Sequence, residues 1–230
     1  MTDESTYMKH SLADAKGKTM NTLGLKYLPT TGIWLVAIIL LVLIERISVP
    51  RYQWDHYLLG LAHGLRGFRL DRFFALITWA GSLSILVPVT ALIGGFLARN
   101  GRVAESWLLA LSLAGVALFS RLAKLWFARP RPDVFPVIGE IPLDASYPSA
   151  HTAQIVAFGV ALCWILKPEK QGLIYYSLTV TALLLAALVA LSRIYLQVHF
   201  PSDVVGGALL GMLWVLGLVN LLHNIVIIMR

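Results

Sequence analysis

The stretch SRIYLQVHFPSD, Ser192 to Asp203, sets an arginine, a histidine and an aspartate where two strongly apolar segments meet. Ionisable groups beside a membrane point first to function. Arg193 offers a rigid fork of N–H donors suited to phosphate oxygens, and the His199 imidazole is a nucleophile once its other ring nitrogen is held. Asp203 can hold it. It follows His199 by four residues, so its carboxylate stands one turn along if the chain becomes helical near Pro201 and Ser202. Two further polar clusters also sit at the ends of apolar segments. In KLWFARPRP, Lys124 supplies a compact charge and Arg131 a planar fork, the two ways proteins grip phosphate. In PSAH, backbone N–H groups at a helix N-terminus make an anion site, Ser149 adds a hydroxyl, and His151 is placed to give or take a proton. Any one cluster alone reads first as a rim charge, a helix cap or an interfacial histidine.

The elements that must carry these groups are membrane helices. A chain of 230 residues that is 58% hydrophobic and only 13% charged lies outside the range of soluble domains. The expected class is all-α: a polytopic bundle of six transmembrane helices over residues 29–230. Residues 1–28 are polar, carry Lys9, Lys16, Lys18 and Lys26, and read as a disordered cytoplasmic tail without the apolar core of a secretory signal. The spans fall at about 32–49, 73–97, 107–127, 148–166, 173–195 and 203–229, each near the ~20 residues a crossing needs. Between the first two, Leu58, Leu61, Ala62 and Leu65 recur at helical spacing, which suits a short helix lying in the interface. Its Arg66 and Arg69 would be free to hold a second phosphate or a headgroup. Gly206, Gly207 and Gly211 give the last span a small-residue face for close packing. Pro130 and Pro132 stop the third span, whose exit crowds Arg121, Lys124, Arg129, Arg131 and Asp133 together.

Alternation of the spans puts the three polar clusters on one side of the membrane. The remaining basic excess lies with the tail, Arg99, Arg102, Lys167, Lys170 and Arg230, so that end is expected inside and the clusters outside. The net charge of +7 reads as attraction to anionic headgroups and substrate, not nucleic acid, because no basic run is interleaved with aromatics. Cys163 is the single cysteine, which leaves no disulfide framework and no cysteine-based metal site. The tryptophans lie mostly near span ends, as aromatic belts would place them.

Together the clusters resemble the membrane-bound type 2 phosphatidic acid phosphatases, whose site is shared with vanadium haloperoxidases and bacterial acid phosphatases. The family pattern runs Lys, six residues, Arg-Pro; Pro-Ser-Gly-His; Ser-Arg, five residues, His, three residues, Asp. This chain has Lys124, Arg131 and Pro132; Pro148, Ser149 and His151; then Ser192, Arg193, His199 and Asp203. Ala150 stands where the pattern has glycine, and would be strained there if the peptide needed a positive φ.

The resemblance implies that His199 attacks phosphorus to form a phosphohistidine while Asp203 fixes its tautomer. It implies that His151 protonates the leaving oxygen and then activates water. Lys124, Arg131, Ser149 and Arg193, with the backbone N–H near Ala150, would hold the non-bridging oxygens. No metal and no cofactor are implied. The substrate expected is a lipid phosphate or diphosphate, with undecaprenyl pyrophosphate and phosphatidylglycerol phosphate ahead of phosphatidic acid, in a bacterial inner membrane. The alternatives are a phosphotransferase passing the group to an acceptor such as lipid A, a haloperoxidase, disfavoured by the six spans, and a non-catalytic transporter or scaffold.

Overall fold

The computed structural model describes residues 30–48, 53–139, 141–167 and 172–228. The predicted tail over 1–28, together with Lys170 and Arg230, lies outside them. Every regular element described is helical: α1 Thr30–Ser48, α2 Gln53–Gly64, α3 Phe68–Ile77, a 3-10 turn Thr78–Gly81, α4 Leu83–Arg99, α5 Val103–Phe127, α6 Ala150–Leu166, α7 Leu173–Tyr195 and α8 Pro201–Ile228. Among the described residues α1, α5, α7 and α8 are long and apolar enough to cross a membrane, and α3 with α4 makes a fifth if the bent pair counts as one span. The remaining apolar helix, α6, has 17 residues.

The second predicted span differs from its expected form. In place of one continuous helix over 73–97, Phe68–Gly81 and Leu83–Arg99 meet at 46°. The chain extends at Ser82, with ψ of 149°. Just before it, Gly81 passes so close to α7 and α6 that a Cβ would lie 2.7 Å from the Val189 side chain and 2.9 Å from the His151 carbonyl. The break therefore wraps the chain around the first turn of α6. The segment 51–72 is likewise divided, because α2 ends at Gly64 and Arg69 belongs to α3.

Helix ends follow local chemistry. At the foot of α5, Ala128 adopts a left-handed φ of 46° and returns its N–H to the Lys124 carbonyl, before Pro130 and Pro132 prevent any resumption of the helix. At the opposite end, Gly101, with φ of 76°, turns α4 into α5. There Arg102 donates to the Ile165 carbonyl at 2.8 Å, which fixes this turn beside the end of α6 and away from the three polar clusters.

The interior is built from α5, α6 and α8, where Leu109, Val116, Ala153, Ala157, Ala161 and Val215 form one apolar cluster. Close approach of α6 and α8 depends on absent side chains. A Cβ on Gly207 would sit 2.4 Å from the Ser149 carbonyl oxygen, and one on Gly211 at the same distance from that of Ala153. Of the expected small-residue face, Gly207 and Gly211 make the contact, while Gly206 lies against the Tyr147 ring. Trp34 and Trp214 stack with centroids 5.3 Å apart, and lie against Gly217 and Gly115 respectively. These two are packing residues between helices, unlike the belt expected of the tryptophans. Large side chains such as Leu92, Trp126 and Leu183 point outward, as a lipid-facing surface requires.

Candidate active site

The three clusters meet at one end of the bundle. Lys124 comes from the last turn of α5, Arg131 from the extended chain after it, His151 from the first turn of α6 with Ser149 as its N-cap, and Arg193 from the last turn of α7. His199 lies in the short link to α8, and Asp203 in the first turn of α8. His199 and Asp203 are almost wholly enclosed.

The tautomer of His199 follows from its neighbours. Arg131 approaches Nε2 through Nη1 at 3.3 Å, and a guanidinium can only donate, so Nε2 must accept. The proton is then on Nδ1, which faces Asp203 Oδ2 at 3.3 Å. The same oxygen accepts the Phe200 N–H at 2.9 Å. Nε2 is left with its lone pair beside a cation that can also bind phosphate. Burial first, then Arg193, Arg131 and Lys124, hold the His199 pKa well below its ordinary value, so the ring is neutral at physiological pH.

The cations expected to bind phosphate are already engaged. Lys124 is buried and meets the Asp144 carboxylate at 3.1 Å and the Ala145 carbonyl. Arg131 donates to Val198 O at 2.7 Å, to Asp144 O at 2.9 Å and to the Asp144 carboxylate. Burial disfavours ionisation of Asp144, but Lys124 and Arg131 outweigh that and hold its carboxyl below the usual range. Asp144 was not among the residues expected at the site. Its carboxylate bridges the two cations as one edge of a phosphate would. Arg193 reaches back to the broken span, donating to Thr78 Oγ1 at 2.7 Å.

At the start of α6 the Ser149 hydroxyl pairs with that of Thr152 at 3.0 Å, and the Ser149 N–H donates to the Asp203 carbonyl at 2.9 Å. That N–H is therefore committed to joining α6 to α8. Ala150 begins α6, and among the described residues the positive-φ non-glycine positions are Ala128 and Gln197. Alanine in place of glycine therefore carries no backbone strain.

Behind the histidine lies a network that local spacing did not reveal. Arg129 is buried and donates through Nη1 to Asp203 Oδ1 at 2.7 Å and through Nη2 to Asp55 Oδ2 at 2.9 Å. Asp55, on α2, also accepts the Ser202 N–H at 2.9 Å and the Ser202 hydroxyl at 2.6 Å. The Phe200 ring covers the Arg129 guanidinium at 4.4 Å. Of the basic residues in the 51–72 segment, Arg66 donates to the Pro136 carbonyl at 2.9 Å and faces Asp71 at 3.9 Å, joining this segment to the loop after α5. Arg69 is exposed.

This arrangement has relatives. Phosphatidylglycerophosphatase B of Bacillus subtilis is 31% identical over 139 residues, spanning 60% of this chain and 68% of that protein. An undecaprenyl-diphosphatase of Sulfolobus acidocaldarius is 30% identical over 146 residues, spanning 62% and 66%. The crystal structure of a transmembrane PAP2-type phosphatidylglycerolphosphate phosphatase from Bacillus subtilis superposes with a TM-score of 0.71 at 26% identity, covering 87% of this chain and 97% of that one. Residues 105–227, which carry all three clusters, match the model of the PAP2 superfamily, and the chain belongs to that superfamily.

Proposed function

We propose that this protein is an integral membrane lipid phosphatase that works through a phosphohistidine on His199. The observation that carries the reading is the His199 environment: a neutral ring, Nδ1–H on Asp203, and an Nε2 lone pair beside Arg131. In the first step Nε2 attacks phosphorus and the P–O bond to the leaving group breaks. Protonated His151 gives its proton to the departing oxygen, and Asp203 balances the positive charge on the substituted imidazole. In the second step neutral His151 takes a proton from water, whose oxygen displaces Nε2 and releases inorganic phosphate. Lys124, Arg131, Ser149 and Arg193, with the N–H near Ala150, hold the non-bridging oxygens, where charge stabilisation dominates such transfers. No step requires a metal.

The substrate class is a lipid phosphate or diphosphate. Relatives named for phosphatidylglycerophosphate and for undecaprenyl diphosphate support both as substrates. Convergence of the three clusters at one end favours six crossings, with α3 and α4 forming one span and α6 another. Arg99, Arg102 and Lys167 lie at the other end, and the positive-inside bias then puts that end and the N-terminus in the cytoplasm and the site outside a bacterial inner membrane.

The test is phosphate release by the detergent-purified protein, with EDTA present, from undecaprenyl pyrophosphate, phosphatidylglycerol phosphate and phosphatidic acid, alongside His199→Ala. Release that survives EDTA and disappears in the variant is expected. Release that persists in His199→Ala would sink the phosphohistidine, and label passing from donor to an acceptor lipid would make the protein a transferase.

A further inference from the structure

We infer that Asp55 and Arg129 are positioning residues that hold Asp203 in register with His199 and set the charge Asp203 presents to it. The inference rests on the reading of His199 as the nucleophile.

Asp203 uses its two oxygens for different tasks. Oδ2 faces His199 Nδ1 and accepts the Phe200 N–H, while Oδ1 takes Arg129 at 2.7 Å. That contact alone would fix the carboxylate but would also neutralise it, leaving little negative charge to balance an imidazolium. Asp55 offsets this. Its carboxylate takes the other arm of the same guanidinium at 2.9 Å, and both groups have side-chain exposures of 1% or less. Two carboxylates around one guanidinium give this trio a net charge of −1 on the Nδ1 side of His199, while Arg131 faces Nε2. A buried cluster of unbalanced charge is poor material for stability, since apolar residues of the same volume commonly do as well or better. The imbalance disappears when His199 becomes positive, as it does on forming the phosphohistidine. The cluster is complementary to that state and not to the resting one, which is what a catalytic site requires.

The geometry is tied down elsewhere. Ser202 lies between the two anions and gives both its N–H and its hydroxyl to Asp55, while Arg129 donates to the Ser202 oxygen at 2.7 Å. The first turn of α8, from which Asp203 projects, is thereby fastened to α2. A helix outside the matched family region thus acts on the nucleophile through Arg129.

The experiment is a charge-compensation cycle on whichever of the three lipids above turns over fastest, with His199→Ala as control. Asp55→Asn removes the excess negative charge and is expected to lower kcat by roughly 10–100-fold, the size seen when an outer-layer partner is lost, with KM little changed. Arg129→Gln leaves two unbalanced carboxylates and is expected to lower it further. The double variant Asp55→Asn/Arg129→Gln restores a net charge of −1 and is expected to recover at least about tenfold over Arg129→Gln. Packing damage alone would make the double variant the worst of the three. A wild-type kcat in Asp55→Asn, or a double variant no better than Arg129→Gln, overturns the inference. Should either single variant fail to purify as a monodisperse protein, the double variant decides: activity within about tenfold of wild type supports the pair, and silence equal to His199→Ala refutes it. Silence in His199→Ala beside full activity in Asp55→Asn removes only this inference, whereas activity in His199→Ala removes the nucleophile first.

Discussion

Replacing Gly207 by alanine tests whether the α6–α8 contact sets the active-site geometry. The new Cβ would lie 2.4 Å from the Ser149 carbonyl oxygen and 3.3 Å from Thr152 Cβ. Carbon and carbonyl oxygen ordinarily sit about 3.3–3.6 Å apart, so close to 1 Å must be found to relieve the contact fully. The carbonyl cannot simply turn aside, because it accepts the Ala153 N–H at 3.0 Å, and the Ser149 N–H is bonded to the Asp203 carbonyl. The displacement therefore separates Ser149 from Asp203, and with them the half of the site proposed to hold phosphate from the half that contacts His199 Nδ1. Overpacking of this kind costs about 1–3 kcal/mol of stability, while a 1 Å misplacement of reacting groups costs ~100-fold in rate. Phosphate release should be measured in detergent, well below the melting temperature of each variant. Gly211→Ala is the control: the clash with the Ala153 carbonyl is equal, but one turn farther from the site. Similar melting temperatures with a much larger rate loss in Gly207→Ala are expected. A Gly207→Ala protein that melts lower yet turns over within about twofold of wild type would refute the reasoning, since a 1 Å shift would then have left the chemistry alone.

Two other outcomes follow from the site. The Asp144 carboxylate occupies Lys124 and Arg131 where the proposed mechanism puts substrate oxygens, and because Asp144 itself is half exposed, its hold is screened to about 1 kcal/mol or less. Asp144→Asn should then lower the inhibition constant for inorganic phosphate by up to about fivefold, and an unchanged or higher constant would show that Asp144 does not compete. The second concerns pH: the unfolded chain protonates His199 near 6.5, but the folded protein resists until well below that, so the unfolded state binds more protons and stability is lost as pH falls under ~6.5. The melting temperature should drop between pH 7.5 and 5.5 by more in wild type than in His199→Asn, at ~1.4 kcal/mol per pH unit for the one proton, and equal drops would show that His199 is not the group concerned.

The parts of the site legible in the sequence are those whose chemistry is local. His199 and Asp203 sit one turn apart because α8 begins at Pro201, and Gly207 and Gly211 mark the face that meets α6. Arg129 was visible only as one of several charges crowding a helix exit. The left-handed Ala128 before it and Pro130 between it and Arg131 give the two arginines different partners, a backbone event that composition does not record. Thr78 enters through the break at Ser82, forced by the contact of Gly81 with Val189 and His151. Asp55 was hidden for a more general reason. The leucine stripe runs through Leu58 and Leu61 of α2 to Leu65 just beyond it, and those side chains are exposed, whereas Asp55 and Leu59 on another face are buried. In water an apolar stripe marks the side of a helix that packs on the protein. Beside lipid the solvent is itself apolar, so the stripe can face outward and the lone carboxylate inward, toward whatever charge balances it. On such a helix the inward carboxylate of Asp55 must meet a buried cation, and Arg129 at the exit of α5 supplies it.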